Sequence, residues 1–259
     1  MSRMSRPPLA VLRRKLAKVP ILSDAYRFVR EQISPHRRIL RRIRRETPGL
    51  LLQPSPFTVP DRHPHFFAQV AKRLEQNPAP RILSFGCSAG DEVFTLRRYF
   101  PRAELVGIDI NPRAIARCKR RLEHAGGDAA IRFCCAGSTT GEPDDHFDAI
   151  FCLSVLRHGD LEATRPERCD AILPFADVER TVVELSRCLK PGGFCVIWHC
   201  HFRLSDMSVS WQYETVMTDG LGKWANSPLY GPDNQRLDGV QWCDAVFCKR
   251  GQGRDTLAH

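Results

Sequence analysis

Between residues 81 and 198, short apolar runs alternate with stretches in which apolar residues recur every three or four positions. Arg81–Phe85 (RILSF), Glu104–Ile110 (ELVGIDI), Ile131–Cys135, Phe147–Leu153 (FDAIFCL) and Phe194–Trp198 are too apolar and too short for helices, and predict five strands. Asp91–Tyr99, Pro112–His124 and Asp177–Leu189 have the helical period and predict helices between them. Two acids open the first helix, and a proline begins the second, with Gly126 and Gly127 just past its end; Pro191-Gly192-Gly193 stops the third. Apolar strands separated by helices imply an α/β fold with a mostly parallel sheet covered on both faces. A helix over Phe66–Glu75 precedes this core, and Asp244–Lys249 (DAVFCK) predicts a late antiparallel edge strand.

The flanks follow a different pattern. Residues 1–47 set Leu9, Leu12, Leu16, Val19, Leu22, Tyr26, Val29 and Ile33 at helical spacing among arginines, broken by Pro20 and Pro35, a basic amphipathic arm. Residues 48–64 carry five of the chain's prolines with Pro48 and read as a linker, so the main domain is expected over 65–249. Within it, residues 202–241 lack a period and hold Trp211, Tyr213, Trp224 and Tyr230 among glycines and prolines, as expected of a segment that shapes a substrate pocket. Residues 250–259 read as a disordered tail.

Charge sharpens this division. The formal net charge is +10, but residues 1–45 hold 14 of the 39 Lys and Arg against only Asp24 and Glu31, a net of +12. The remaining 25 basic and 27 acidic residues leave about −2, so the basicity belongs to the arm. An anionic membrane surface or a polyanion is the partner such an arm suits, while packing as ordinary helices and a cleaved presequence remain open. Eleven cysteines fall largely in strand-like runs with no secretory leader, which predicts reduced, buried thiols and a cytoplasmic chain, peripheral to a membrane at most.

The candidate chemistry begins at Ser84–Gly90 (SFGCSAG), between the first strand and the first helix, where nucleotides bind in such sheets. Gly86 and Gly90 let a ligand approach the backbone, Ser88 is a small residue between them, and Asp109, nineteen residues past Gly90, can accept hydrogen bonds from both ribose hydroxyls of an adenosine. A nicotinamide site is disfavoured because Asp91 would stand beside the pyrophosphate. Gly86-Cys87-Ser88-Ala89-Gly90 also matches the Gly-x-Ser-x-Gly elbow of serine hydrolases, with Ser88 as nucleophile, Asp148 or Asp170 as acid and His199 or His201 as base. That elbow needs strands upstream, where this chain has an arm and a linker.

Over residues 80–200 the sequence resembles the class I S-adenosylmethionine (SAM)-dependent methyltransferases. The resemblance is carried by ILSFGCSAGDE at 82–92, LVGIDIN at 105–111, HFDAIFCLSVLRH at 146–158 and LSRCLKPGGFCVIW at 185–198. It implies a Rossmann-like fold, a mostly parallel seven-stranded sheet with an antiparallel late strand, and SAM as cofactor. By resemblance Ser84, Gly86, Cys87, Ser88 and Gly90 line SAM, Asp109 holds its ribose, Ile110 packs on adenine, and Leu153 and Ser154 border it. The acid that often opens the family's loop is Ser84 here, and the acid often found after the third strand is replaced around Gly137 and Ser138. The Ser-Ala-Gly-Asp-Glu stretch is similar to one loop of the chemotaxis-receptor glutamate methyltransferases.

Methyl transfer from a sulfonium needs alignment above all, and a base only where the acceptor loses a proton. His158, His199, His201 and Asp206 follow the fourth and fifth strands, and His158 and His199 are the favoured catalytic candidates. No metal site is expected, because neighbours in His199-Cys200-His201 point to opposite faces of an extended chain. The leading expectation is a methyltransferase for a small molecule, glycan or lipid-linked acceptor. A protein or nucleic-acid methyltransferase using the arm, and a non-catalytic SAM-binding module, are the alternatives.

Overall fold

The computed structural model describes residues 34–218 and 227–251. The chain divides into a unit of residues 1–46 and a unit of residues 47–259. In the first, the described part is helix α1 (Pro35–Glu46), whose Arg42 pairs with Glu46 one turn on at 2.9 Å. The helical periodicity read over residues 9–33, and the tail from 252, lie outside the described residues.

In the second unit, α2 (Pro64–Arg73) leads into β1 (Arg81–Phe85), α3 (Asp91–Tyr99), β2 (Glu104–Asp109), α4 (Pro112–His124), β3 (Ile131–Cys135) and β4 (Phe147–Leu153). There follow α5 (Gly159–Thr164), α6 (Phe175–Cys188), β5 (Leu189–Trp198), β6 (Tyr213–Thr218), a two-residue hairpin β7 (Leu229–Tyr230) and β8 (Arg236–Leu237), and β9 (Asp244–Lys249). Seven strands form one sheet in the order β3-β2-β1-β4-β5-β9-β6, parallel except for β9, which runs antiparallel to both β5 and β6. The order reverses between β1 and β4, so a crevice opens at their carboxyl ends.

Alternation along β1 shows why the strands are apolar on both sides. Ile82 packs into the core beneath α2, α3 and α4, while Leu83 packs into the opposite core with Val178, Val182 and Leu185 of α6. Each is wholly buried, worth roughly 1.5 to 3 kcal/mol per side chain.

Three local readings are corrected. The helix α6 starts two residues before Asp177, with Pro174 at its N-cap. Pro191-Gly192-Gly193 does not stand outside the fifth strand but inside it, as a bulge between the pairs Phe147↔Leu189 and Ala149↔Phe194. Gly193 is required there, because a Cβ would come within 2.9 Å of the Lys190 carbonyl oxygen and 3.1 Å of that of Asp148. Finally, β6 lies within the segment that showed no period: as an edge strand pairing with β9 alone, it is buried at Tyr213 and mostly open beyond. Among the described residues no helix is long and apolar enough to cross a membrane.

Candidate functional site

The turn after β1 is fixed by backbone chemistry. The amides of Gly86 and Cys87 both donate to the Ile108 carbonyl, at 2.8 and 2.9 Å, tying the turn to β2. Gly86 has φ of 75°, and a Cβ there would lie 2.4 Å from Cγ2 of Val155, so the turn after β4 presses directly on this loop. Ser88 also adopts a left-handed φ, 48°, and its amide donates to Asp109 Oδ2 at 2.8 Å. The Asn111 amide donates to Asp109 Oδ1, again at 2.8 Å. Each carboxylate oxygen is thus aimed by one amide and keeps a lone pair for a further donor. Burial raises the Asp109 pKa, while these two amides favour the ionised form.

Ser84 is buried within β1, and its hydroxyl donates to Glu92 Oε1 at 2.7 Å. The carboxylate missing from the end of β1 is therefore supplied from the first turn of α3. Burial pushes the Glu92 pKa up to about 7, against the Ser84 hydrogen bond and the charge of Arg62. Its neighbour Asp91 turns away, paired with Arg121 at 2.7 Å. Cys87 is buried, its thiol pushed well above the ordinary value by a hydrogen bond with Cys118 and by burial, which makes it an inert lining group. Ile110 sits with Cδ1 where a Cβ on Gly137 would be 2.7 Å away. The Ser138 hydroxyl is engaged with that of Thr140 at 2.8 Å.

The proline-rich segment read as a linker does more than connect. Pro56 accepts the Ser88 hydroxyl at 2.8 Å, and Phe57, Arg62 and His63 face Ser88, Glu92 and Leu153 across a cleft of about 430 Å³, partly open to solvent. Arg62 and Glu92 set opposite charges in this cleft. His63 is 7% exposed, its pKa lowered to about 4 by burial and by neighbouring Arg62, and Nε2 of its neutral ring has no partner among the described residues. Sequence reasoning missed Arg62 and His63, since nothing in their spacing separates them from an ordinary connection.

This placement removes the hydrolase reading. Ser88 spends its hydroxyl on Pro56; Asp148 is bound by Lys190 at 2.7 Å and Asp170 by Arg168 at 3.1 Å. His199 lies instead with Ser154, and β1 is the first strand of the described residues.

A second polar cluster lies beyond β4 and β5. Ser154 Oγ stands 3.1 Å from His199 Nδ1, and His199 Nε2 stands 3.3 Å from Glu162 Oε1. That oxygen also accepts the Ser227 hydroxyl at 2.8 Å and pairs with Arg157 at 3.1 Å. Burial raises the Glu162 pKa, but the hydrogen bonds from His199 and Ser227, with the charges of His201 and Arg157, bring it down to about 2. Burial lowers the pKa of His199. The other candidates stand apart from this pair. His158 Nδ1 accepts the Asp160 amide at 3.2 Å as the N-cap of α5. His201 is fully buried, with its ring nitrogens on the carbonyls of Pro228 and His158 at 2.9 and 3.2 Å. Asp206 is held by Arg203 through two hydrogen bonds, 2.8 and 2.9 Å. Glu162 carried no signal in the sequence, because its helix of six residues is too short to show a period.

A family model described as a methyltransferase domain matches residues 76–231. The chain is 33% identical over 125 residues to the demethylmenaquinone methyltransferase of Thermus thermophilus, 48% of each chain. It is 34% identical over 91 residues to the malonyl-[acyl-carrier protein] O-methyltransferase of Anoxybacillus flavithermus, 32% of this chain and 34% of that enzyme. These matches therefore span half or less of the curated relatives. Among solved structures, the plantazolicin methyltransferase BpumL, in complex with a monoazolic desmethylPZN analog and SAH, aligns over 65% of this chain and 55% of its own at 15% identity and a TM-score of 0.39.

Proposed function

The chain belongs to the class I SAM-dependent methyltransferases, and we propose that it methylates a small-molecule acceptor, with SAM seated between the loop after β1 and the segment Phe57–His63. The observation that carries this reading is the complementarity of the cleft to that cofactor. Asp109, aimed by two amides, suits a ribose diol. Glu92 suits the ammonium of the methionine end and Arg62 its carboxylate. The residues present thus fit SAM, and Ser84 with Glu92 accounts for the loop's departure from the family pattern. Bound SAM supplies a methyl group on a sulfonium, already activated for in-line displacement. What the chain contributes is alignment: Gly86 and Val155 set the loop against the turn after β4, and the segment Phe57–His63 excludes water from one side. The curated relatives include a demethylmenaquinone methyltransferase and a malonyl-[acyl-carrier protein] O-methyltransferase, which supports a small or carrier-linked acceptor.

Calorimetry separates the contacts. Wild type should bind both SAM and 5′-methylthioadenosine, which lacks the amino-acid end. Asp109→Ala should weaken both about tenfold to a hundredfold, the cost of one to two hydrogen bonds to a charged group. Glu92→Gln and Arg62→Ala should weaken SAM alone. No SAM binding by the folded wild type would sink the proposal.

A further inference from the structure

Two non-glycine residues with left-handed backbones stand side by side at the carboxyl ends of neighbouring parallel strands: Ser154 with φ of 62° after β4, and His199 with φ of 56° after β5. Such backbones cost about 1 to 2 kcal/mol each and persist where the surroundings impose them. Here the Ser154 amide donates to the Trp198 carbonyl at 2.8 Å, locking the two turns together. The result is a chain of side chains, Ser154 Oγ to His199 Nδ1 at 3.1 Å and His199 Nε2 to Glu162 Oε1 at 3.3 Å.

Ionised Glu162 accepts from Nε2–H, which fixes the tautomer of a neutral imidazole, leaves the Nδ1 lone pair toward Ser154 and makes the serine hydroxyl a donor to it. The His199 side chain is 1% exposed, so nothing reaches the ring directly. Ser154 is only half-buried, and it lies between Leu153, which lines the cofactor cleft, and Val155, which packs on Gly86. Its chain neighbours thus tie it to the edge of the cleft, and its oxygen has lone pairs left to accept a proton. The charged and titratable groups around His199 include Glu162 on α5, Arg157 before it, His201 acting on the same Glu162, and Arg62 and His63 from the proline-rich segment.

We propose that Ser154, His199 and Glu162 form a proton relay that takes the hydroxyl proton of the acceptor, which makes the acceptor a phenol, enol or alcohol and the reaction an O-methylation. The inference rests on the methyltransferase reading above. As the acceptor oxygen bonds to the methyl carbon, the carbon–sulfur bond breaks and its electron pair stays on sulfur. The acceptor proton passes to Ser154 Oγ while the serine proton passes to His199 Nδ1. The imidazolium so formed is held by Glu162 and later returns its proton through the Ser154 hydroxyl to water. Ser154 is the catalytic residue in contact with the acceptor; Glu162, anchored by Arg157 and Ser227, is a positioning residue.

The test uses the full chain saturated with SAH and titrated with 4-nitrophenol and 4-nitrocatechol, reading phenolate absorbance against pH. In wild type at least one bound phenol should ionise a pH unit or more below its value in water, a tenfold gain in phenolate. His199→Asn should keep SAH binding and lose that shift, and Ser154→Gly, read at SAH concentrations that saturate the variant, should lose it too; both replacements tolerate a left-handed backbone. Glu162→Gln should show part of it. Neither phenol ionising early in SAH-saturated wild type, or equal ionisation in folded His199→Asn, overturns the relay. Failure of wild type to bind SAH would instead sink the methyltransferase reading.

Discussion

Ser84 donates its hydroxyl to Glu92 at 2.7 Å, so a carboxylate reaches the end of β1 from the neighbouring helix rather than from the strand itself. If this pair stands in for an acid on the strand, the two positions are coupled. Ser84→Asp alone would place two carboxylates in contact and raise the pKa of one of them. Its SAM affinity at pH 7 should fall about tenfold, while Ser84→Asp with Glu92→Gln should recover most of the loss. Additive losses in calorimetry would refute the coupling.

The Glu92 pKa of about 7 makes cofactor affinity depend on pH near neutrality. An ionised carboxylate is needed to pair with an ammonium, so SAM should bind more tightly as pH rises from 6 to 8, and this rise should vanish in Glu92→Gln. The same shift acts on stability with the opposite sense. A carboxyl whose folded pKa lies above its unfolded value costs stability as pH rises from about 4.5 to 7, by up to about 3 kcal/mol here. The cofactor-free Glu92→Gln protein should therefore have the higher Tm at pH 8 and lose that advantage at pH 4.

The contact between Gly86 and Val155 yields a packing test. Gly86→Ala brings a Cβ to 2.4 Å from the valine and adds a strained φ, so it should abolish measurable SAM binding. Combining it with Val155→Ala removes the clash but leaves roughly 1 to 2 kcal/mol of backbone strain. Partial recovery is expected, and full recovery in calorimetry would show that φ at this position is unimportant.

What was legible follows from range. Continuous apolar runs at Ile82–Phe85, Leu105–Ile108 and Ala149–Leu153 exist because both faces of those strands are covered, and the glycines and Asp109 stand at fixed distances from them. Arg62, His63 and Glu162 owe their positions to contacts far along the chain, such as Ser88 with Pro56 and Glu162 with Ser227. No local period records such contacts. His158, His199 and His201 looked equivalent because each follows a strand. Only their partners separate them: a helix amide for His158, two carbonyls for His201, a serine and a carboxylate for His199.

That separation predicts unlike variants. His201→Ala strips a hydrogen-bonding ring from a buried site, where the His158 carbonyl keeps the Glu162 amide, and opens a cavity beside Tyr230, which should cost about 2 to 4 kcal/mol. Urea denaturation should show a lower midpoint, with SAM affinity at low temperature within a few-fold of wild type. A hundredfold loss of SAM affinity in the folded variant would place His201 in the cofactor site.

The arm calls for a separate measurement. On α1 the arginines at 37, 38, 41, 42, 44 and 45 are exposed, and Ile39, Leu40 and Ile43 share one face of the helix. Such a helix suits an anionic lipid surface, where each basic residue is worth about 1 kcal/mol at moderate salt. Replacing Arg37, Arg38, Arg41 and Arg42 together by Glu in the full chain should lower sedimentation with phosphatidylserine vesicles by a factor of a hundred or more. SAM affinity, set within residues 47–259, should not move. Raising salt toward 1 M should weaken the wild type in the same direction, because screening shortens the reach of these charges to about 3 Å. Equal sedimentation of the two proteins at low salt would end the membrane reading of the arm.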